Sequence, residues 1–150
     1  MLIDNQYLKV SHLQVKRYFV TQLNIIANPV FDVAKDIVKT DSDFCVSGEM
    51  SQNADDASLF QITLNIKLQP SAESNLPYSI AMEIVGIIKS AYTGTKDQIE
   101  HVVFVNGSSM LYGTAREILR ASTSLGPYAP ILIPTMVFSG HPKPVAPATK

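Results

Sequence analysis

The sequence predicts an α+β domain in which a four-stranded antiparallel sheet is followed by one long helix and an extended crossover segment. Three observations carry this. Phe60, Ile62, Leu64, Ile66 and Leu68 alternate with Gln61, Thr63, Asn65 and Lys67, a strict period of two. The polar connections between the apolar runs are too short for parallel crossovers, which need about a dozen residues or more. After Thr93-Gly94 the apolar period becomes that of a helix.

The first strand spans Leu13 to Ile26. Leu13, Val15, Phe19, Leu23 and Ile25 share one parity, with Val20 and Ile26 on the other, so a bulge and partial cover on both faces are expected. Asn28-Pro29 ends it, because the residue before proline is pushed to extended geometry. Phe31–Thr40 reads either as a short helical turn or as an irregular crossing. Asp41-Ser42-Asp43 marks a turn into a second strand, where Phe44, Val46 and Met50 alternate and Gly48 is the weak point. The polar loop "SQNADDA" leads to the third strand, and Pro70–Pro77 to the fourth. There Tyr78, Ile80, Met82, Ile84 and Ile88 share a face, and Val85 and Ile87 make the other face apolar too.

Thr95-x-x-Gln98 fits a capping box at the start of the helix. Ile99, Val102 and Val103 follow at helical spacing. Asn106-Gly107-Ser108-Ser109 lowers helix propensity, glycine costing about 1 kcal/mol relative to alanine, so a kink or break is expected there. Met110, Leu111, Ala115, Ile118, Leu119 and Ser122 form a second stripe. Gly126 suits the position after a helix end, and Pro127 prevents continuation. Ile131–Ile133 and Met136–Phe138 bracket Pro134, which denies a central ladder its donor. They predict an edge strand or an extended segment over apolar surface. Residues 1–139 thus read as a single domain and 140–150 as a disordered, proline-rich tail.

Composition narrows the function. Of 150 residues, 46% are hydrophobic and 17% charged, with a net charge of −1. So apolar and weakly charged a chain favours burial of further surface by self-association. Without a basic excess there is no broad electrostatic case for nucleic acid. Cys45 is the single cysteine, which excludes an internal disulfide, and its strand context reads as a buried, inert thiol. No run approaches the roughly 20 apolar residues of a membrane span, and the N-terminus lacks a secretory pattern, so a cytoplasmic protein is expected.

Catalytic signals are sparse. His12, His101 and His141 have no metal-ligand spacing, so neither a metal site nor a cofactor is expected. Ser108 and Ser109 lack a nucleophile elbow, and Asn106–Ser109 lacks the ending of a phosphate loop. Glu117 and Arg120 are spaced for a surface ion pair. At a helix–helix interface, Arg116 and Glu117 would instead set the register.

The stretch "LYGTAREILRASTSLGPYAPILIPTMVF" resembles the signature of the SecB family of export chaperones. Leu111, Tyr112 and Gly113 match its Leu-aromatic-Pro/Gly step, followed by Arg116-Glu117 and Leu119. Gly126 and Tyr128 match the turn, and Pro134 and Phe138 the ending; "LNIIANPVF" resembles the end of the family's first strand. The resemblance implies a non-enzymatic homotetramer, a dimer of dimers, with long helices packed between sheets. Met110, Leu111, Arg116, Glu117 and Leu119 then become candidates for the oligomer interface. It also implies nucleotide-free binding of unfolded preproteins in apolar grooves and their delivery to the translocase ATPase SecA. Candidate groove residues are Phe44, Val46 and Met50, with Tyr128, Ile131, Ile133 and Met136, each of which fits a core equally well.

Three departures bear on SecA. The chain is near neutral where the family is acidic. Gln22 and Ile26 occupy acidic contact positions, of which Glu83 retains a third, and a proline-rich tail replaces a shielding helix. SecB-like relatives also serve as dedicated chaperones of toxin–antitoxin systems, which is the first alternative. An alternative of another class is a small hotdog-like enzyme or ligand-binder, with Asn106 or Glu100 aimed from the helix at a buried ligand.

Overall fold

The computed structural model describes residues 10–140. Apart from Gly140, the tail predicted over 140–150 lies outside the described residues. The elements are β1 (Leu13–Ala27), a short 3-10 turn at Asp41–Asp43, β2 (Phe44–Gln52), β3 (Leu59–Leu68), β4 (Tyr78–Ser90) and α1 (Lys96–Thr123). The sheet runs in the order β1-β4-β3-β2, with every pair antiparallel.

The alternation in β3 sets the core. Phe60, Ile62, Leu64, Ile66 and Leu68 are buried and stand opposite Ile88, Gly86, Ile84, Met82 and Ile80 of β4. Residues directly opposite in a ladder share a face, so these ten positions make one surface. On the outer side, Phe44, Val46, Gly48 and Met50 of β2 face Leu68, Ile66, Leu64 and Ile62. Cys45 falls on the other parity, opposite Lys67, and is exposed. The expectation of a buried thiol is corrected: the strand is right, but an edge strand of a half-covered sheet buries only one parity.

Two register shifts in β1, between Val15 and Arg17 and between Val20 and Gln22, change which residues share a face. Tyr18 and Val20 join Leu13, Val15, Leu23 and Ile25 on the helix side, opposite Gly86 and Ile84. Phe19 turns to the open face, opposite Val85. Each bulge inserts one unpaired residue and inverts the parity beyond it. β1 then ends where Asn28 hydrogen-bonds the Leu76 and Pro77 carbonyls. Residues 28–40 form the irregular crossing. Asn75 organises it, accepting from Asp32 N–H and donating to the Asp32 and Asp36 carbonyls.

Thr95 and Gln98 form the predicted capping box, Oγ1 of Thr95 accepting from Gln98 N–H and Gln98 Oε1 from Thr95 N–H. The helix then runs unbroken through Asn106–Ser109, so the break expected there does not occur. Gly107 explains why: a Cβ there would lie 2.6 Å from Ile62 Cδ1. Glycine lets the backbone sit directly on β3 and β4, and that apolar contact outweighs its propensity cost of about 1 kcal/mol. Val103, Leu111, Ala115 and Leu119 complete the buried stripe. At the far end, Gly126 is required by close approach, since its Cβ would fall 2.2 Å from Tyr78 Oη.

Candidate functional site

Beyond Thr123 the chain turns at "SLGPY" and runs back along α1 in extended form without joining the sheet. Its predicted alternatives resolve to an extended segment rather than an edge strand. Side chains hold it in place of a ladder. Tyr78 Oη accepts from Tyr128 N–H at 3.0 Å and lies 3.3 Å from the Thr123 carbonyl, to which it can donate. Thr123 Oγ1 donates to Leu119 O at 2.7 Å and accepts from Ile131 N–H at 2.9 Å. Arg116 Nε donates to Ile133 O at 3.0 Å, and Tyr112 Oη donates to Pro134 O. The Tyr112 and Phe138 rings meet edge to face, and His101 Nδ1 bonds Gly140 O at 2.9 Å.

These anchors span the helix. Roughly 33 Å of α1 separates Thr123 from His101, and Ile131 to Gly140 in extended form reaches roughly 30 Å. Each helical turn can therefore hold the next piece of backbone, whatever its side chains are. Tyr112 is well suited to this. Burial pushes its phenol up to about 12, Arg116 opposing, so it remains a donor at ordinary pH.

Along the crossover the alternation returns. Ile133 is 2% exposed, and Ile131, Met136 and Phe138 are half-buried, whereas Leu132 is 63% and Val137 89% exposed. The crossover forms one wall of a cleft of about 270 Å³. Ile37 and Lys39 form the other wall, and Leu68 and Leu76 line the cleft between them. Close by, Tyr128 stacks edge to face on Phe31 at 4.9 Å and donates from Oη to Asn28 O. Val30, Val33 and Val38 of the crossing are exposed around it.

Of the predicted groove residues, Phe44, Val46 and Met50 are half-buried along the β2 edge, and Tyr128, Ile131 and Met136 are half-buried on the crossover. Ile133 belongs to the core and is corrected accordingly, because its parity points it between sheet and helix. Of the interface candidates, Leu111 and Leu119 are 1% and 0% exposed and pack within the protomer, a second correction. Arg116 is half-buried and occupied with Ile133 O. Met110 and Glu117 face outward, Glu117 paired with Arg120, whose hydrogen bond holds its carboxyl below the ordinary range. Gly113 shares that outward face, with nothing within 4 Å of a Cβ built there.

Sequence reasoning missed Ile37, Lys39 and Leu132. The first two lie in a stretch without periodicity, while the exposure of Leu132 follows from its parity between Ile131 and Ile133. The enzyme alternative finds no convergence: Asn106 is exposed and donates to Val102 O on its own helix, and Glu100 pairs with Lys96 at 3.8 Å. Among the described residues no cluster of His, Cys, Asp or Glu could hold a metal ion. No helix there is long and apolar enough to cross a membrane.

On the open sheet face, Glu83 stands opposite Gln22, and Thr21 Oγ1 donates to its carboxylate.

The model of the family described as preprotein translocase subunit SecB matches residues 7–140. No curated protein matches the sequence. Among solved structures, a Mycobacterium tuberculosis SecB-like chaperone, Rv1957, in complex with a ChAD peptide from the Rv1956 HigA1 antitoxin, is similar. It is 14% identical at a TM-score of 0.60, over 85% of this chain and 93% of that one. A protein of unknown function from Streptococcus agalactiae is 10% identical at a TM-score of 0.47, over 81% of this chain and 96% of that one.

Proposed function

Since the chain belongs to the SecB family, we propose that it is a nucleotide-independent chaperone that holds non-native polypeptide and performs no catalytic step. The observation that carries this reading is the crossover cleft. It offers exposed or half-buried apolar surface at Ile37, Ile131 and Leu132, and its lining residue Leu68 pairs with Phe44 at the start of the half-buried edge Phe44, Val46 and Met50. Apolar burial contributes about 25 cal/mol per Å² and is non-directional, so such a surface accepts many client sequences.

The working form is a cytoplasmic homotetramer, a dimer of dimers, with the outward face of α1 around Met110, Gly113 and Glu117 between subunits. The lack of side-chain bulk at Gly113 supports close approach there. Clients are export precursors or the partner of a toxin–antitoxin system. Two observations favour the second: the similar M. tuberculosis chaperone carries an antitoxin peptide, and the acidic surface for SecA is reduced to a Glu83 already bonded to Thr21. SecA thus remains a partner only for the export reading.

The test is light scattering of a reduced, unfolding client. Stoichiometric suppression without nucleotide supports the reading, and an unchanged aggregation curve rejects it. Co-purification with an antitoxin rather than with preproteins separates the two client classes.

A further inference from the structure

We infer that residues 29–39 form a strap that opens as one unit, latched to the body of the protein by the single residue Asn75, and that its opening bares Leu68 and Leu76. The first observation concerns burial. No residue of the strap is buried, and Val30, Val33, Ile37 and Val38 are between 49% and 83% exposed. Burial of apolar area, which fixes the strands, therefore does little to hold this segment.

The second observation is where its hydrogen bonds go. Apart from bonds to the preceding Asn28 and within the strap, each one to a described residue ends on Asn75. The Asn75 side chain accepts from Asp32 N–H and donates to the Asp32 and Asp36 carbonyls, all at 3.0 Å. Its backbone N–H donates to the Val38 carbonyl at 2.8 Å, and its carbonyl accepts from Val38 N–H at 3.2 Å. Bonds inside the strap, such as Lys35 N–H to the Asp32 carbonyl and the Lys35–Asp32 ion pair, cross no boundary and travel with it.

The ends and the latch, by contrast, are fixed. Asn28 bonds the Leu76 and Pro77 carbonyls and accepts from Tyr128 Oη. Thr40 and Asp43 close on each other through reciprocal bonds. Ring contacts stand near these ends, Phe31 against Tyr128 and Lys39 over Phe44. Asn75 is followed by Leu76 and Pro77, both buried. A segment with firm ends, one fastening between them and little buried area is a local opening unit of low stability. Ile37 and Lys39 wall the cleft over Leu68 and Leu76, which are each 2% exposed, so release from Asn75 removes that wall. Under the chaperone reading, on which this last step rests, the latch regulates the apolar area presented to a client.

Amide exchange of the full chain, read by mass spectrometry at residue resolution, tests the strap. The Phe31, Lys35 and Val38 N–H groups are bonded without the Asn75 side chain. Corrected for intrinsic rates, they are expected to share one opening equilibrium in the wild type. Asn75→Ala is expected to speed all three by one common factor of about ten or more, with β1 and β4 unchanged. Asn75→Asp keeps the shape and the acceptor but loses both donor bonds, and is expected to act in the same direction. Binding of anilinonaphthalene sulfonate, and client held per protomer, should rise in step. Unequal opening equilibria in the wild type, or acceleration confined to Asp32, overturns the strap. Acceleration throughout β1 and β4 also overturns it, by making Asn75 a support of the whole fold. Faster exchange without added dye binding overturns the baring of Leu68 and Leu76. A wild type that suppresses no aggregation defeats the chaperone reading alone, because exchange decides the strap.

Discussion

Arg116 Nε lies 3.0 Å from the carbonyl of Ile133, joining the middle of α1 to the one crossover residue that is sealed in the core. Its guanidinium satisfies a backbone acceptor that has left the sheet. Hydrogen bonds to charged groups contribute about 1.5–3 kcal/mol, and an acceptor left unpaired on burial costs more than a surface one. Arg116→Met, which keeps the stem and loses the donor, is expected to lower unfolding free energy by about 1–2 kcal/mol. It should also raise amide exchange along residues 131–138 selectively. Uniform exchange changes would contradict a local anchor.

Ser108 is 0% exposed, and its Oγ has no hydrogen-bond partner. A buried hydroxyl without a partner costs about 1–3 kcal/mol, and alanine is the better helix former. Ser108→Ala is expected to raise the unfolding free energy by about 1 kcal/mol, read as a higher urea midpoint at unchanged slope, with client binding unchanged. A loss of stability would mean that Oγ has a partner in the working protein.

Gly107 is buried against the sheet and Gly113 is exposed, and they predict opposite outcomes. Gly107→Ala drives its Cβ to within 2.6 Å of Ile62 Cδ1, and overpacking of this kind costs about 1–3 kcal/mol. Gly113→Ala meets nothing within 4 Å in the protomer and gains about 1 kcal/mol of helix propensity. Gly113→Leu tests the proposed packing between subunits, because a side chain there is expected to reduce native mass without unfolding the protomer. Circular dichroism melts and sedimentation read the two effects separately.

The Tyr112 phenol adds an alkaline limit. Its folded value is raised from 10.0 to about 12, mainly by burial. The neutral phenol is favoured in the folded state, so this contribution is complete below pH 10 and is lost as pH rises towards about 12. Thermal melts across that window are expected to fall more steeply for the wild type than for Tyr112→Phe. Parallel curves would remove Tyr112 as the cause.

Periodicity carried much of the fold and only part of the site. The β3 alternation and the Thr95–Gln98 box were legible because each is local: one face buried, one cap satisfied. The mixed parity of β1 announced a bulge, but not that there are two or where they fall, so the exchange of Phe19 for Tyr18 on the helix side depended on pairing with β4. Gly107 misled for a related reason, its propensity being a property of the helix and its value a property of Ile62 and Ile88. Leu111, an interface candidate through the resemblance, and Ile133, a groove or core candidate, are both internal, because hydrophobicity does not say which partner, internal or external, covers a residue. Ile37 and Lys39 joined the cleft through Asn75, whose hydrogen bonds fold back a segment with no period of its own.

Native mass measured with and without a reduced, unfolding client decides whether this chain assembles to hold non-native polypeptide. A tetramer is expected that gains the mass of the unfolded client at micromolar concentration and ignores the same client when folded. A monomer whose mass is unchanged by the unfolded client would contradict it.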